Sequence, residues 1–258
     1  MNNLTIVILT KNEADNIIDC LDSLNGIGEI LVVDSGSTDD TIQLAEAGGA
    51  RTVYHAMDDD GFAGQRNFAL SQVHTDWVFY IDADERLTAE AAAEIARCVS
   101  KGEHAVYSIV RHNVVFGQRM RHGAHAPDRC IRLFPVQGAH WEGEVHEGVH
   151  FSALLPQKTL QHTMLHYTYK SWQGYFDKFN RYTSLGAEKL AARGKKAGWA
   201  KLFLDPPFTF IKMYILKRGF LDGYLGFVMS VTAAMNVWVK YLKLQQLEQS
   251  HKVSYGRN

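Results

Sequence analysis

The sequence predicts an α/β fold, a mostly parallel sheet with helices on both faces, followed by a helical C-terminal extension. Three observations carry this. Apolar, β-rich runs alternate with helical periodicity through the first part of the chain. Polar clusters fall directly after the apolar runs, where open α/β sheets bind ligands. The charge then changes sign: residues 1–150 hold 11 Lys and Arg against 23 Asp and Glu, and residues 151–258 hold 16 against 5.

Taken in order, residues 4–9 (LTIVIL) are an apolar strand. Residues 12–24 space Ala14, Ile17, Ile18, Leu21 and Leu24 three and four apart, the period of a helix. A strand at 29–33, a helix at 41–47 ended by Gly48-Gly49, and a short strand at 51–54 follow. A helix at 65–73, a strand at 77–81 and an alanine-rich helix at 89–99 complete the alternation. From residue 105 the texture changes to strands at 105–115 and 129–134, joined by the loop RMRHGAHAPD. From residue 171 the pattern is helical and rich in Tyr, Phe and Lys, which divides the chain into an α/β domain over 1–170 and a basic helical extension over 171–258. Cys20, Cys98 and Cys130 are odd in number with no CxxC, which argues against a disulfide framework and for a reducing compartment. The N-terminus reads as a first strand rather than a signal peptide, lacking a basic start and a cleavage site.

Five motifs carry chemistry. In TKNEADNI, Asn12 or Asp15 would serve as a helix cap. In VVDSGSTDDT, Ser37 and Asp40 have capping-box spacing, which leaves Asp34 at a strand end, free to accept from a ligand. In DDDGFAGQRNFAL, Asp58, Asp59 and Asp60 read as a solvated loop, and Arg66 sits near the start of the expected helix, against its dipole, as if awaiting an anion. The chain has neither a G-x-G-x-x-G nor a P-loop, so phosphates would need Arg66 and a metal. In FYIDADERL an apolar strand ends in Asp82, Asp84 and Glu85. On an extended chain, Asp82 and Asp84 face one way and offer two hard oxygens to Mg²⁺ or Mn²⁺. The stretch HWEGEVHEGVH formally contains H-E-x-x-H at His146 to His150, yet Gly143, Gly148, Val145 and Val149 argue against the helix a zinc site needs. Its carboxylates, Glu142, Glu144 and Glu147, include a candidate general base.

TKNEADNI, VVDSGSTDDT, GQRNFAL, DADE and VHE, in this order, resemble the family 2 glycosyltransferases of the GT-A fold. KRGFLDGYLGF is similar to a subgroup that adds glucose to the inner core of bacterial lipopolysaccharide, with UDP-glucose as donor and a lipid-anchored heptose as acceptor. The resemblance implies that Glu13 and Asp34 hold the uridine and Arg66 the diphosphate. It also implies that Asp82 and Asp84 hold the metal–diphosphate complex. For the base it points to Glu147, with Glu144 as runner-up; His146-Glu147 stands where many members have an E-D or D-D pair. A metal acting as Lewis acid on the leaving diphosphate, with a carboxylate base on the opposite face, gives inversion.

These features predict a cytoplasmic enzyme, peripheral on the inner face of the bacterial inner membrane, with partners limited to a nucleotide sugar, a lipid-anchored saccharide and an anionic surface, and no nucleic acid. Residues 223–239 are uncharged, with Lys212, Lys217 and Arg218 before them and Lys240 and Lys243 after, together with Trp199, Tyr214, Tyr224, Trp238 and Tyr241. This region reads as interfacial helices, a core helix or a membrane span. Rival functions are transfer to a polyprenyl phosphate, a zinc hydrolase through His146 and His150, and a non-catalytic sugar-nucleotide-binding protein.

Overall fold

The computed structural model describes residues 3–24, 26–57, 61–143 and 148–255. The first part alternates as expected: β1 (Leu4–Thr10), α1 (Ala14–Ser23), β2 (Glu29–Asp34), α2 (Thr41–Ala47), β3 (Arg51–Tyr54), α3 (Gly61–Ser71) and β4 (Trp77–Asp82). Then come β5 (Glu85–Leu87), α4 (Ala89–Lys101), β6 (Val106–Val115), β7 (Gln118–Arg119), β8 (Asp128–Pro135), β9 (Ala139–Glu142), β10 (Gly148–Phe151) and β11 (Gln157–Tyr169). The helices α5 (Trp172–Ala192), α6 (Trp199–Phe203), α7 (Asp205–Ile211) and α8 (Gly223–Tyr255) follow. The chain forms two compact units, Met1–His112 with Asp128–His166, and Asn113–Pro127 with Tyr167–Asn258.

The main sheet runs β3-β2-β1-β4-β8-β6-β11-β5 and is mixed. The first four strands pair in parallel, and β4 then meets β8 antiparallel. Alternation of strand and helix builds the parallel half, because a crossover helix returns the chain in the same direction. Between β6 and β8 the chain makes only the short strand β7 and one 3-10 turn, Gly123–His125, with no crossover α-helix, and that half is antiparallel. Side chains of the parallel strands are buried on both faces: Trp77, Phe79 and Ile81 of β4 enter one core, Val78 and Tyr80 the other. Helix α4 is capped by Thr88, whose hydroxyl accepts from Ala91 N at 3.2 Å, and closes on Gly102 at φ 62°.

Three local expectations are corrected. Helix α3 begins at Gly61 rather than near residue 65, so Arg66 lies in mid-helix and the dipole argument does not apply to it. Ser37 and Asp40 form no capping box; Asp39 does the capping, accepting from Thr41 N at 3.1 Å and Ala14 N at 3.2 Å. Asn12 is not a cap either: it adopts φ 56° and accepts from Thr38 N at 2.8 Å, which ties the β1–α1 turn to the β2–α2 loop.

The second unit has its own small core of Val115, Met120, Tyr175, Leu225 and Met229. Lys243 on α8 donates to Asn180 Oδ1 (2.7 Å), Thr183 Oγ1 (2.9 Å) and Ser184 Oγ (2.8 Å) of α5, stitching the two helices together. Two glycines of KRGFLDGYLGF have a packing cause: a Cβ on Gly226 would lie 1.9 Å from Gly219 O, and one on Gly219 2.8 Å from Met213 O. Helices α6 and α7 and the π-turn Lys212–Leu216 leave Trp199, Phe203, Leu204, Phe208, Ile211, Ile215 and Leu216 exposed. One described helical stretch, Gly219–Gln249, is long and apolar enough to cross a membrane.

Candidate active site

Thr10 and Asp34 sit side by side at the carboxyl ends of β1 and β2, and Asp82 ends β4 beside Leu9. Asp34 is 1% exposed and has a structural task that the sequence does not reveal. Its Oδ2 accepts from Gly36 N and Ser37 N, both at 2.8 Å, and its Oδ1 from Thr10 Oγ1 at 3.2 Å and from the Ser37 hydroxyl. Four donors fill a carboxylate's acceptor sites, so Asp34 shapes the turn at 35–37, where Gly36 takes φ 91°. Glu13 opens α1, accepting from Asn16 Nδ2 at 2.7 Å.

Each polar residue of QRN has its own contact. Gln65 Nε2 donates to His55 O at 2.6 Å, fixing the loop after β3. The Arg66 guanidinium lies over the rings of Trp141 (4.8 Å) and Tyr80 (5.6 Å), and its Nη2 is 3.6 Å from Asp82 Oδ1. Asn67 pairs with the backbone of Trp141, Nδ2 to O and N to Oδ1, both at 2.8 Å. Burial leaves Arg66 Nε, Gln65 Oε1 and His55 Nδ1 without a hydrogen-bond partner among the described residues. Orphaned donors and acceptors of this kind suit a polar ligand.

The crowded carboxylates of DADE are neutralised by arginines. Arg132 of β8 donates through Nη2 to Asp82 Oδ2 at 3.0 Å and Glu85 Oε1 at 2.7 Å. Arg111 of β6 donates to the same Glu85 oxygen at 2.8 Å and forks onto Asp128 at 3.0 and 2.7 Å. Burial opposes ionisation of Asp82, yet the positive charges of Arg132 and Arg66 hold its carboxyl well below the usual range. Fully enclosed Glu85 goes the other way: burial raises it, and the pull of Arg132 does not overcome this. The chain turns at Ala83 and Asp84, so the alternation expected of an extended segment does not reach Asp84. Arg86 holds that turn, donating to Ala83 O at 2.7 Å and Asn16 O at 2.8 Å. Asp84 Oδ2 instead lies 3.2 Å from His166 Nε2 on β11. Beneath the turn, burial pushes the Cys20 thiol up to about 12, which rules it out as a thiolate nucleophile at neutral pH.

Among the described residues no three His, Cys, Asp or Glu side chains close a metal cage. Asp84 and His166 nevertheless offer an oxygen and an imidazole nitrogen, a pair that a divalent cation can use when phosphate oxygens and waters complete its shell. Glu144, His146 and Glu147 lie outside the described residues. The described part of H-E-x-x-H, residues 148–150, lies in the strand Gly148–Phe151 paired with β9, not in a helix. Sequence reasoning missed Arg132, Arg111, His166 and the Asn67–Trp141 contact. Arg132 did leave a signal: a charge inside the apolar run from Ile131 to Phe134 needs a buried partner.

A Rossmann-like mixed sheet with helices on its faces, bearing acids and an arginine at the carboxyl ends of its parallel strands, defines a GT-A nucleotide-sugar enzyme. A family model, Glycosyl transferase family 2, matches residues 5–164, and the chain belongs to that family. It is a glycosyltransferase that depends on a nucleotide sugar. It is 30% identical to an uncharacterized glycosyltransferase of Rickettsia felis, over 97% of this chain and 91% of that protein. It is 28% identical to the lipopolysaccharide core biosynthesis glycosyltransferase LpsC of Rhizobium meliloti, over 94% and 92%. Among solved structures it is similar to glucosyl-3-phosphoglycerate synthase of Mycobacterium tuberculosis with Mn²⁺ and UDP-glucose (26% identity, TM-score 0.36, 43% of each chain). It is also similar to S. aureus TarS 1-349 (14% identity, TM-score 0.47, 96% and 91%).

Proposed function

We propose that this glycosyltransferase moves a hexose, glucose from UDP-glucose, onto a lipid-anchored saccharide with inversion, and that the acceptor is a heptose of the lipopolysaccharide inner core. The observation that carries the donor side is the strand-end site, where Asp82 meets Arg66 and Arg132 beside Asp84 and His166. Glu13 and Asp34 line the nucleoside end, Asp34 through the turn it shapes. Arg66 takes the diphosphate with its forked donors. Asp82 and Asp84, with His166, hold Mg²⁺ or Mn²⁺, which when bound acts as a Lewis acid on the departing diphosphate. Glu147 removes the acceptor hydroxyl proton, with Glu144 the other candidate. Attack opposite the leaving group turns an α-linked donor into a β-linked product. The likeness to the lipopolysaccharide core biosynthesis glycosyltransferase of Rhizobium meliloti supports the acceptor class.

The proposal extends to location: a cytoplasmic enzyme lying on the inner face of the bacterial inner membrane through residues 171–258, with residues 1–170 as the catalytic domain. The support is the exposed apolar and aromatic surface of α6, α7 and the π-turn beside Lys212, Lys217 and Arg218. An apolar groove of about 290 Å³, lined by Pro206, Pro207 and Phe210 of α7 and Val231, Met235 and Trp238 of α8, opens on the same unit. Helix α8 packs along α5 in this unit, which favours the interfacial arrangement over a lone span.

A panel of sugar nucleotides with Mn²⁺, read by ligand-induced thermal stabilisation, tests the donor. UDP-glucose at 100 times its Kd is expected to add about 2.7 kcal/mol. A panel in which no UDP-sugar stabilises the protein overturns the reading.

A further inference from the structure

We infer that Asn67 is a positioning residue for Arg66, acting through Trp141. This rests on the reading of Arg66 as the diphosphate ligand. Arg66 has little of its own to hold its head in place: among the described residues Nε has no hydrogen-bond partner, and the approach to Asp82 is 3.6 Å. Its guanidinium is placed by the ring of Trp141 at 4.8 Å on one contact and of Tyr80 at 5.6 Å on the other.

The two rings are not equally secure. Tyr80 stands on β4 in the middle of the main sheet and donates to Arg66 O at 2.8 Å. Trp141 stands on β9, which among the described residues pairs only with β10, in a separate two-stranded sheet. Such a hairpin is marginal by itself. Burial of the Trp141 indole sets how deep the hairpin sits, but apolar contact is non-directional and fixes no orientation. The Asn67 amide adds direction: it gives one hydrogen bond to Trp141 O and takes one from Trp141 N, as a neighbouring strand would. Because Asn67 follows Arg66 on α3, one helix turn both carries the guanidinium and aligns the ring that backs it. The clamp preorganises Arg66 before the diphosphate arrives, so less ordering remains to be done on binding.

The experiment compares UDP with uridine, which lacks the diphosphate, by isothermal titration on the full chain with Mn²⁺. Asn67→Ala is expected to weaken UDP about tenfold, the scale for an orienting partner, and to leave uridine unchanged. Asn67→Asp carries a chemical signature. Ionised, it repels Trp141 O; protonated, its carboxyl donates and accepts as the amide does. Its UDP affinity relative to wild type should therefore recover as pH is lowered, with melting temperature followed at each pH. Equal loss of UDP and uridine in both variants means that Asn67 only staples the hairpin, and overturns the inference. So does undiminished UDP binding by Asn67→Ala. Arg66→Met separates the two levels. If it weakens UDP while Asn67→Ala does not, the clamp alone falls; if it leaves UDP unchanged, the diphosphate reading falls with it.

Discussion

Arg132 and Glu85 meet across the sheet at 2.7 Å, one guanidinium nitrogen against a carboxylate that solvent does not reach. The same nitrogen holds Asp82 at 3.0 Å. Carboxylates so close together persist because arginines from β8 and β6 offset their repulsion. Removing one partner of a buried pair leaves the other charged and desolvated. Arg132→Met is therefore expected to destabilise the first unit by about 3–5 kcal/mol, measured by urea unfolding. Adding Glu85→Gln should restore part of that loss. A double variant no more stable than the single one would contradict the pairing.

Asp82 gives the site an acid dependence. Its folded pKa is depressed, so the stability it contributes is present above the ordinary aspartate value, about 4, and is lost as pH falls below it. Glu85, raised by burial, has the opposite sign: its contribution is full in acid and declines as pH rises through its raised value. Asp82→Asn should thus be less stable than wild type near neutrality, with the gap closing as pH is lowered. Thermal melts over a pH series measure this, and a gap that widens in acid would be contrary to it.

Asp84 and His166, 3.2 Å apart, are two of the three side chains proposed to hold the metal, with Asp82 the third. Asp84→Ala is expected to abolish Mn²⁺-dependent UDP binding with the fold intact, and His166→Ala to weaken it. Titration of UDP with and without Mn²⁺ decides. Undiminished metal dependence in Asp84→Ala would falsify the assignment.

For the base, Glu147→Gln should keep donor binding and lower turnover by about 10²–10⁴. UDP release with a lipopolysaccharide acceptor truncated at the inner-core heptose is the assay. Normal turnover by Glu147→Gln with a defect in Glu144→Gln would move the role to Glu144.

The basic unit is expected to bind anionic liposomes in a salt-sensitive way, each Lys or Arg near the surface contributing about 1 kcal/mol. Reversal of Lys212, Lys217 and Arg218 to Glu should abolish it in co-sedimentation. Binding indifferent to that reversal would leave α8 as a packed core helix only.

The amino-acid sequence by itself determined the parallel half of the sheet and the strand ends on which Asp34 and Asp82 stand. Periods of apolar residues are local, and Asp34 and Asp82 follow apolar runs within a few positions. It likewise showed the basic, aromatic C-terminal part, since composition needs no geometry. It misled where a boundary decided the physics: α3 starts at Gly61, which removes the dipole argument from Arg66 while leaving the residue at the site. Only the tertiary structure decided the partners. Arg132 lies 50 residues from Asp82, His166 82 from Asp84, and Trp141 74 from Asn67. Such pairs arise from strand order and register, and charge or ring contacts across that distance leave no spacing rule in a single chain. The same holds for Asp34, whose carboxylate looks free for a ligand in sequence and is filled by four protein donors once Thr10 of the neighbouring strand and the 35–37 turn close around it.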